Sequence, residues 1–274
     1  MIIEIVGKPR AGKTALNTLF MLLEEHYNGE TMLGHCNRII MNINKDRAPG
    51  DKIPLCTQAP IYANYESHIR VGFDEILEPY FLNPYKLGIA NEQTAGDVQY
   101  ILPCSCLHIT EGRKYWDGRD SSSLPDNVSQ WFETHGHNYM TIIIDAQRGK
   151  ALDLNIRENV TKFIEVQYML NDEDAYGRII GSTWYCREFY SLQDYEAYIT
   201  GKAGYYSREV TFHYDGNIFE YYKSRNREED FIPPKGIQYS TLKFVGADEL
   251  KRLPKSVQAM YNTDRPEYKI KAAA

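Results

Sequence analysis

The sequence predicts an α/β protein: a mostly parallel sheet covered by helices on both faces, with a C-terminal β-hairpin extension. Three observations carry this. Short apolar strands alternate with helix-length stretches, which calls for crossover connections and a sheet buried on both sides. The first strand runs into a glycine-bearing loop and then a helix, so the ligand is expected at the carboxyl ends of the strands. Near the C-terminus, two strand-like runs flank Asp215-Gly216, a two-residue hairpin signal.

Taken in order, Ile2 to Val6 is a short β-rich run, as expected of a buried strand. Gly7-Lys8-Pro9-Arg10-Ala11-Gly12-Lys13-Thr14 then fits G-x-x-x-x-G-K-[ST], the phosphate-binding loop, and Ala15 opens the helix behind it. The glycines let the backbone curl so that its N–H groups face phosphates, and the helix N-terminus adds partial positive charge. Lys13 is expected to reach the β- and γ-phosphates of ATP, and Thr14 to bind Mg2+. The helix is expected over Thr14 to Tyr27, with Leu16, Leu19, Phe20, Leu22 and Leu23 on it.

Ile39 to Ile43 reads as a strand or hairpin arm, and Pro60 to Tyr65 as a further strand. A helical patch follows over Phe73 to Phe81, broken at Asn83 to Leu87. Val98 to Glu111 is mostly apolar and split by Pro103, so its strand starts after the proline. A polar loop leads to a helix from Pro125 to about His135, where His135 and His137 suit helix capping. Tyr139 to Asp145 is the strongest strand. A short helix is expected over Leu152 to Asn159, strands over Lys162 to Tyr168 and Ile179 to Cys186, and a short helix over Ser191 to Ile199. The hairpin takes Val210 to Tyr214 and Asn217 to Tyr222 as its arms. Residues 1–247 read as one domain, with the hairpin extension at about 206–226, followed by a polar, slightly basic tail over 248–274. Ala272 to Ala274 looks like a cloning scar, so the natural chain is expected to continue past Lys271.

Bulk properties narrow the function. The 274 residues are enough for a substantial core without a staple. A formal net charge of -6 argues against a general nucleic-acid coat. The five cysteines are odd in number and scattered, as expected of reduced thiols in a cytosolic protein, and Cys104 and Cys106 are expected to share one strand face. No run of eighteen apolar residues offers a spanning helix.

A hydrolysing site needs a carboxylate at the end of a second strand. Two are on offer: Asp145 after Thr141 to Ile144, and Glu111 after Cys106 to Thr110. Strand quality alone favours Asp145.

The stretch from Leu107 to Gln147 resembles the zonula occludens toxin family, which includes the assembly ATPases of filamentous phages. The matching residues are Ile109-Thr110-Glu111, Leu124-Pro125-Asp126-Asn127-Val128, Phe132-Glu133-Thr134-His135-Gly136-His137 and Thr141 to Gln147. Leu154 to Arg157 and Ile218 to Ser224 are similar to two further family patterns. The resemblance implies a P-loop NTPase of RecA/FtsK-HerA-like fold. It makes Glu111 the water-orienting carboxylate and puts Asp145 near the sensor strand, where Gln147 feels the γ-phosphate; the expected magnesium ligands are Thr14, Thr110 and Asp145. Thr110 stands where the family has a magnesium-side aspartate; its hydroxyl can hold a magnesium-bound water without the charge. His135-Gly136-His137 lacks the family's arginine. Together these departures imply slow hydrolysis or dependence on a neighbouring subunit.

The resemblance further implies a homo-oligomeric ring, a coat–single-stranded DNA cargo and a place on the cytoplasmic face of a bacterial inner membrane. A membrane segment would lie outside this chain, and Lys251, Arg252, Lys255, Lys269 and Lys271 suit an anionic membrane surface. Arg119, Arg148, Arg157 and Arg178 are candidates for an arginine supplied to the next protomer. A viral DNA-packaging or HerA/FtsK-like translocase, with Gln147-Arg148 after the sensor strand, is the first alternative. A nucleotide-binding structural switch without hydrolysis is the second.

Overall fold

The computed structural model describes residues 1–52, 55–56, 59–65, 67, 69–71, 75–77, 80–81, 104–119 and 126–222. The strands are β1 (Ile2–Val6), β2 (Ile61–Ala63), β3 (Ile69–Val71), β4 (Glu75–Leu77), β5 (Tyr80–Phe81), β6 (Cys106–Ile109), β7 (Thr141–Ala146), β8 (Lys162–Glu173), β9 (Ile179–Phe189) and β10 (Arg208–Asp215). The helices are α1 (Lys13–Asn44), α2 (Asp126–Thr134), α3 (Leu154–Glu158) and α4 (Leu192–Ile199). Eight strands form one sheet in the order β10-β9-β8-β1-β7-β6-β2-β5, and β3 pairs β4 separately. Pairing is parallel from β8 through β1, β7, β6 and β2 to β5, and antiparallel where β9 and β10 are added.

The sheet separates two cores, and strand alternation assigns each side chain to one of them. Ile3 and Ile5 of β1, Cys106 of β6 and Ile143 of β7 pack with Ala15, Leu16 and Leu19 of α1. Ile2 and Val6 of β1, Leu107 and Ile109 of β6, and Ile142 and Ile144 of β7 pack with Trp131, Phe132, Ile156 and Tyr195 from α2, α3 and α4. Two caps fix helix entries: Asp153 accepts from the Asn155 N–H ahead of α3, and Ser191 from the Asp194 N–H ahead of α4.

The structure corrects several expectations. The helix does not stop at Tyr27 but runs to Asn44, so Ile39 to Ile43 is helical and not a strand. Gly29 costs an internal helix about 1 kcal/mol. That cost is offset because Cys36 and Ile40, one turn apart, are buried in the second core. Within 73–81 the described residues form β4 and β5 and not a helix. Cys104 and Cys106 lie in different cores, because Cys104 takes a left-handed backbone (φ 59) that breaks the alternation. The C-terminal antiparallel extension exists, but its hairpin is β8–β9. β10 pairs with β9, and Ile218–Glu220 is a single 3-10 turn, so Asp215-Gly216 leads out of the sheet. The longer partner won: β9 offers eight register positions to β10, whereas the 217–222 run is capped into a turn by the Asn217 side chain accepting from Phe219 N–H. Expectations for 83–87, for 98–103, for 223–226 and for the tail over 248–274 lie outside the described residues.

Among the described residues, no helix is long and apolar enough to cross a membrane.

Glu4 is the anomaly of the central strand. It is fully buried, and neither carboxylate oxygen has a hydrogen-bond partner among the described residues. Burial pushes its carboxyl well above the usual range, only partly countered by the Arg157 charge. Between the unfolded and folded values the folded chain holds the extra proton, so this contribution to stability falls as pH rises. Glu4→Gln is expected to gain stability relative to the parent as pH rises above the ordinary carboxylate range, with a slope up to about 1.4 kcal/mol per pH unit, the limit for one proton. Denaturant unfolding at rising pH checks it; a pH-independent difference would contradict the assignment.

Candidate active site

β1 ends at Val6 and the chain turns at once into the glycine loop. At Gly7 a side chain is excluded, since a Cβ would sit 2.7 Å from the Val166 carbonyl oxygen of β8. Gly12 caps α1 in a left-handed conformation, φ 91. Its carbonyl accepts from the Trp184 indole N–H at 3.0 Å as well as from the Leu16 N–H at 2.9 Å. The antiparallel extension therefore holds the loop at both ends, through β8 and β9. The first turn of α1 has neither a capping side chain nor an acidic residue, so its N–H groups and partial positive charge are available to an anion. Lys13 folds back along the loop, its Nζ donating to the Lys8 carbonyl at 3.0 Å. Burial lowers its pKa, and the charges of Asp145 and Glu111 pull it back up.

The two rival carboxylates meet. Asp145 shares its face of β7 with Ile143, the face turned to α1. Its Oδ2 accepts from the Thr14 hydroxyl at 3.2 Å, and its Oδ1 accepts from the Glu111 backbone N–H at 2.9 Å. Asp145 is only 2% exposed. Burial raises its pKa to about 6, against the Glu111 N–H, the Lys13 charge and the Thr14 hydroxyl, which lower it; the Glu111 charge adds to the rise. Glu111 follows β6 in a left-handed conformation (φ 52, ψ 43). Its carboxylate is 56% exposed and pairs with the Lys114 ammonium at 2.6 Å.

Thr110 departs from its expected role. Asn64, just past β2, takes the Thr110 N–H at 2.8 Å and the Thr110 hydroxyl at 3.4 Å on its Oδ1, and its amide donates to the Thr110 carbonyl at 2.9 Å. The hydroxyl is spent on fixing the turn that carries Glu111 and does not line the cleft. The oxygen donors beside the glycine loop are instead Thr14 and Asp145. One hydroxyl and one carboxylate are hard ligands that suit a magnesium ion completed by phosphates and water. Among the described residues, no group of three or more His, Cys, Asp or Glu side chains could hold a metal.

These groups line one cleft of about 1230 Å³, with Gln147 at the end of β7 and Met169, Phe219 and Tyr222 on the far wall. The sequence reading missed Asn64, Lys114 and Trp184. For Asn64 a signal existed, a polar residue ending an apolar strand; for Trp184 none did. Of the four arginines, Arg157 is 12% exposed and committed inward to Glu196 at 2.9 Å and the Leu152 carbonyl at 3.1 Å, so it is withdrawn from a neighbour. Arg119 pairs with Asp117, Arg178 pairs with Asp174 at the β8–β9 turn, and Arg148 is exposed beside Gln147. His135 donates from Nδ1 to the Phe132 carbonyl at 2.6 Å, capping the end of α2 as expected.

No protein-family model and no curated protein sequence matches the chain. Among solved structures, the chain is similar to the N-terminal domain of zonular occludens toxin from Neisseria meningitidis, at 16% identity and a TM-score of 0.43 over 81% of this chain and 98% of that one. It is also similar to the genome packaging NTPase B204 of Sulfolobus turreted icosahedral virus 2 in complex with ATP-gammaS, at 8% identity and a TM-score of 0.35 over 76% of this chain and 95% of that one. A third similar structure is the DNA-packaging ATPase B204 of Sulfolobus turreted icosahedral virus, at 10% identity and a TM-score of 0.34 over 76% and 95%.

Proposed function

We propose that the chain binds ATP with magnesium in this cleft and hydrolyses it. The observation that carries the reading is the linked set Thr14–Asp145–Glu111 beside an open helix N-terminus. The loop N–H groups and Lys13 hold the phosphates. Thr14 and Asp145 would hold the metal, which would supply charge neutralisation at the phosphate oxygens. Glu111, one strand over and exposed to the cleft, accepts a hydrogen bond from the attacking water and orients it. Gln147 stands where it can feel the γ-phosphate.

The cellular role we propose is that of a zonula occludens toxin-type motor: the cytoplasmic part of a ring that drives filamentous-phage assembly or export, with a coat–single-stranded DNA complex as cargo and an inner-membrane segment outside this chain. Support comes from the order of family-like segments in the sequence around Glu111, Phe132 to His137 and Thr141 to Gln147. Gln147 in the cleft followed by an exposed Arg148 supports a second reading, a DNA-packaging or HerA/FtsK-like translocase. Double-stranded DNA should stimulate turnover in a translocase and leave it unchanged in an assembly motor.

Lys13→Ala is expected to weaken ATP binding about 10- to 100-fold or more, the scale of lost charge-assisted hydrogen bonds; unchanged affinity by calorimetry would sink the site. Glu111→Gln should retain ATP and lose about 100-fold or more in turnover. Turnover that survives Glu111→Gln but dies in Asp145→Asn would exchange the two carboxylates' roles. A protein that binds ATP and never turns it over would be the nucleotide-binding switch.

Asp145 sets a pH limit. In the nucleotide-free chain it titrates near 6, above its ordinary 3.8. Folded protein holds the extra proton between those values, so this group's contribution to stability rises as pH falls through about 6. A magnesium ion needs the ionised form and competes with that proton. Magnesium-dependent nucleotide binding, followed by thermal shift, should therefore weaken at and below about pH 6, and Asp145→Asn should remove the pH-dependent part.

A further inference from the structure

The turn after β6 brings a second ammonium group to the cleft. Lys114 lines it with Lys13 and Glu111, at the end of the 3-10 turn Gly112–Lys114. Side chains three apart eclipse on such a turn, so Glu111 and Lys114 face each other. Their 2.6 Å contact is a charge-assisted hydrogen bond. Arg113, the neighbouring cation of the cleft wall, is engaged elsewhere: it donates to Asp117 at 3.2 Å, and Asp117 also takes Arg119 at 2.8 Å. Among the described residues, Lys114 is the cation that pairs with the carboxylate assigned to the attacking water.

That pairing has a chemical consequence. An ammonium on one carboxylate oxygen takes up acceptor capacity there and draws electron density from the group, which makes Glu111 a weaker acceptor. A stronger anion in the cleft would draw the ammonium away. The terminal phosphate of a nucleoside triphosphate is such an anion, and a diphosphate presents nothing at that position. A lysine suits the exchange, since its three donors sit on a flexible stem and act as a point charge without a fixed fork. Glu111 is anchored for the exchange through its backbone, by the N–H on Asp145 and by the turn that Asn64 fixes, so its side chain can change partner without moving the strand end.

We propose that Lys114 is the terminal-phosphate sensor of this site, a positioning residue acting within one chain. It holds Glu111 in the nucleotide-free cleft and frees it when a triphosphate takes the ammonium. This rests on the reading of the cleft as a nucleotide site.

The test is binding of a non-hydrolysable ATP analogue and of ADP, each with magnesium, to the full chain by calorimetry. Lys114→Met is expected to lower affinity for the triphosphate about 10-fold or more, the loss of one charge-assisted hydrogen bond, with ADP affinity within about 2-fold of the parent. Lys114→Arg should restore most of the difference, and Lys114→Gln gives the same reading should the methionine variant not fold. The loss should persist in a Glu111→Gln background. Equal effects on both nucleotides, no effect, or an effect that vanishes once Glu111 is replaced would overturn the sensor and leave the nucleotide site standing. A parent protein that binds neither nucleotide would overturn both.

Discussion

One buried carboxylate ties the active end of the sheet together. Asp145 has two oxygens and almost no solvent, so each oxygen needs a donor from the protein. One donor comes from the first turn of α1 and the other from the residue after β6. Because the carboxylate is on β7, between β1 and β6 in the sheet, these bonds draw three strand ends to one point. The glycine loop, Thr14 and Glu111 are thereby set relative to one another by a group too buried to move freely. Its raised pKa is the cost of that arrangement: charge is kept in a place where water cannot help to stabilise it.

The loop depends equally on strands that carry no part of the motif. Trp184 of β9 is fully buried and would leave an orphan indole N–H without the Gly12 carbonyl. Val166 of β8 brings its carbonyl so close to Gly7 that only glycine fits. The antiparallel addition to a parallel sheet is thus a brace for the phosphate loop, and the Met169 and Phe219 wall gives that brace a second surface on the cleft. Sequence distance hides this: Gly12 and Trp184 are 172 residues apart.

What could be read from the sequence follows the range of the forces involved. Strands buried on both faces are continuous apolar runs, so β1, β6 and β7 were legible, and so were the polar residues that end them. The loop was legible because its chemistry requires glycine, lysine and threonine at fixed spacing. The second half of α1 was not, because Gly29 is a poor helix former and only burial of Cys36 and Ile40 keeps the helix going. The partner of β10 was not, because an Asp-Gly turn is a local preference and β9 offered a longer ladder. Thr110 misled for a similar reason: its role is decided by Asn64, a residue 46 positions away.

The Asn64–Thr110 pairing also decides which side chain suits position 110. An aspartate at position 110 would set a carboxylate against the Asn64 oxygen that now accepts from the threonine. Two acceptor oxygens facing each other would have no donor between them. With threonine, the turn is held by neutral hydrogen bonds. The cleft wall carries the carboxylates Asp145, Glu111 and Asp117 together with the cations Arg10, Lys13, Arg113 and Lys114. Lys13 donates to the Lys8 carbonyl and Lys114 to the Glu111 carboxylate. A polyphosphate entering such a cleft would meet cations already held by hydrogen bonds, so less of its binding energy would be lost to ordering them.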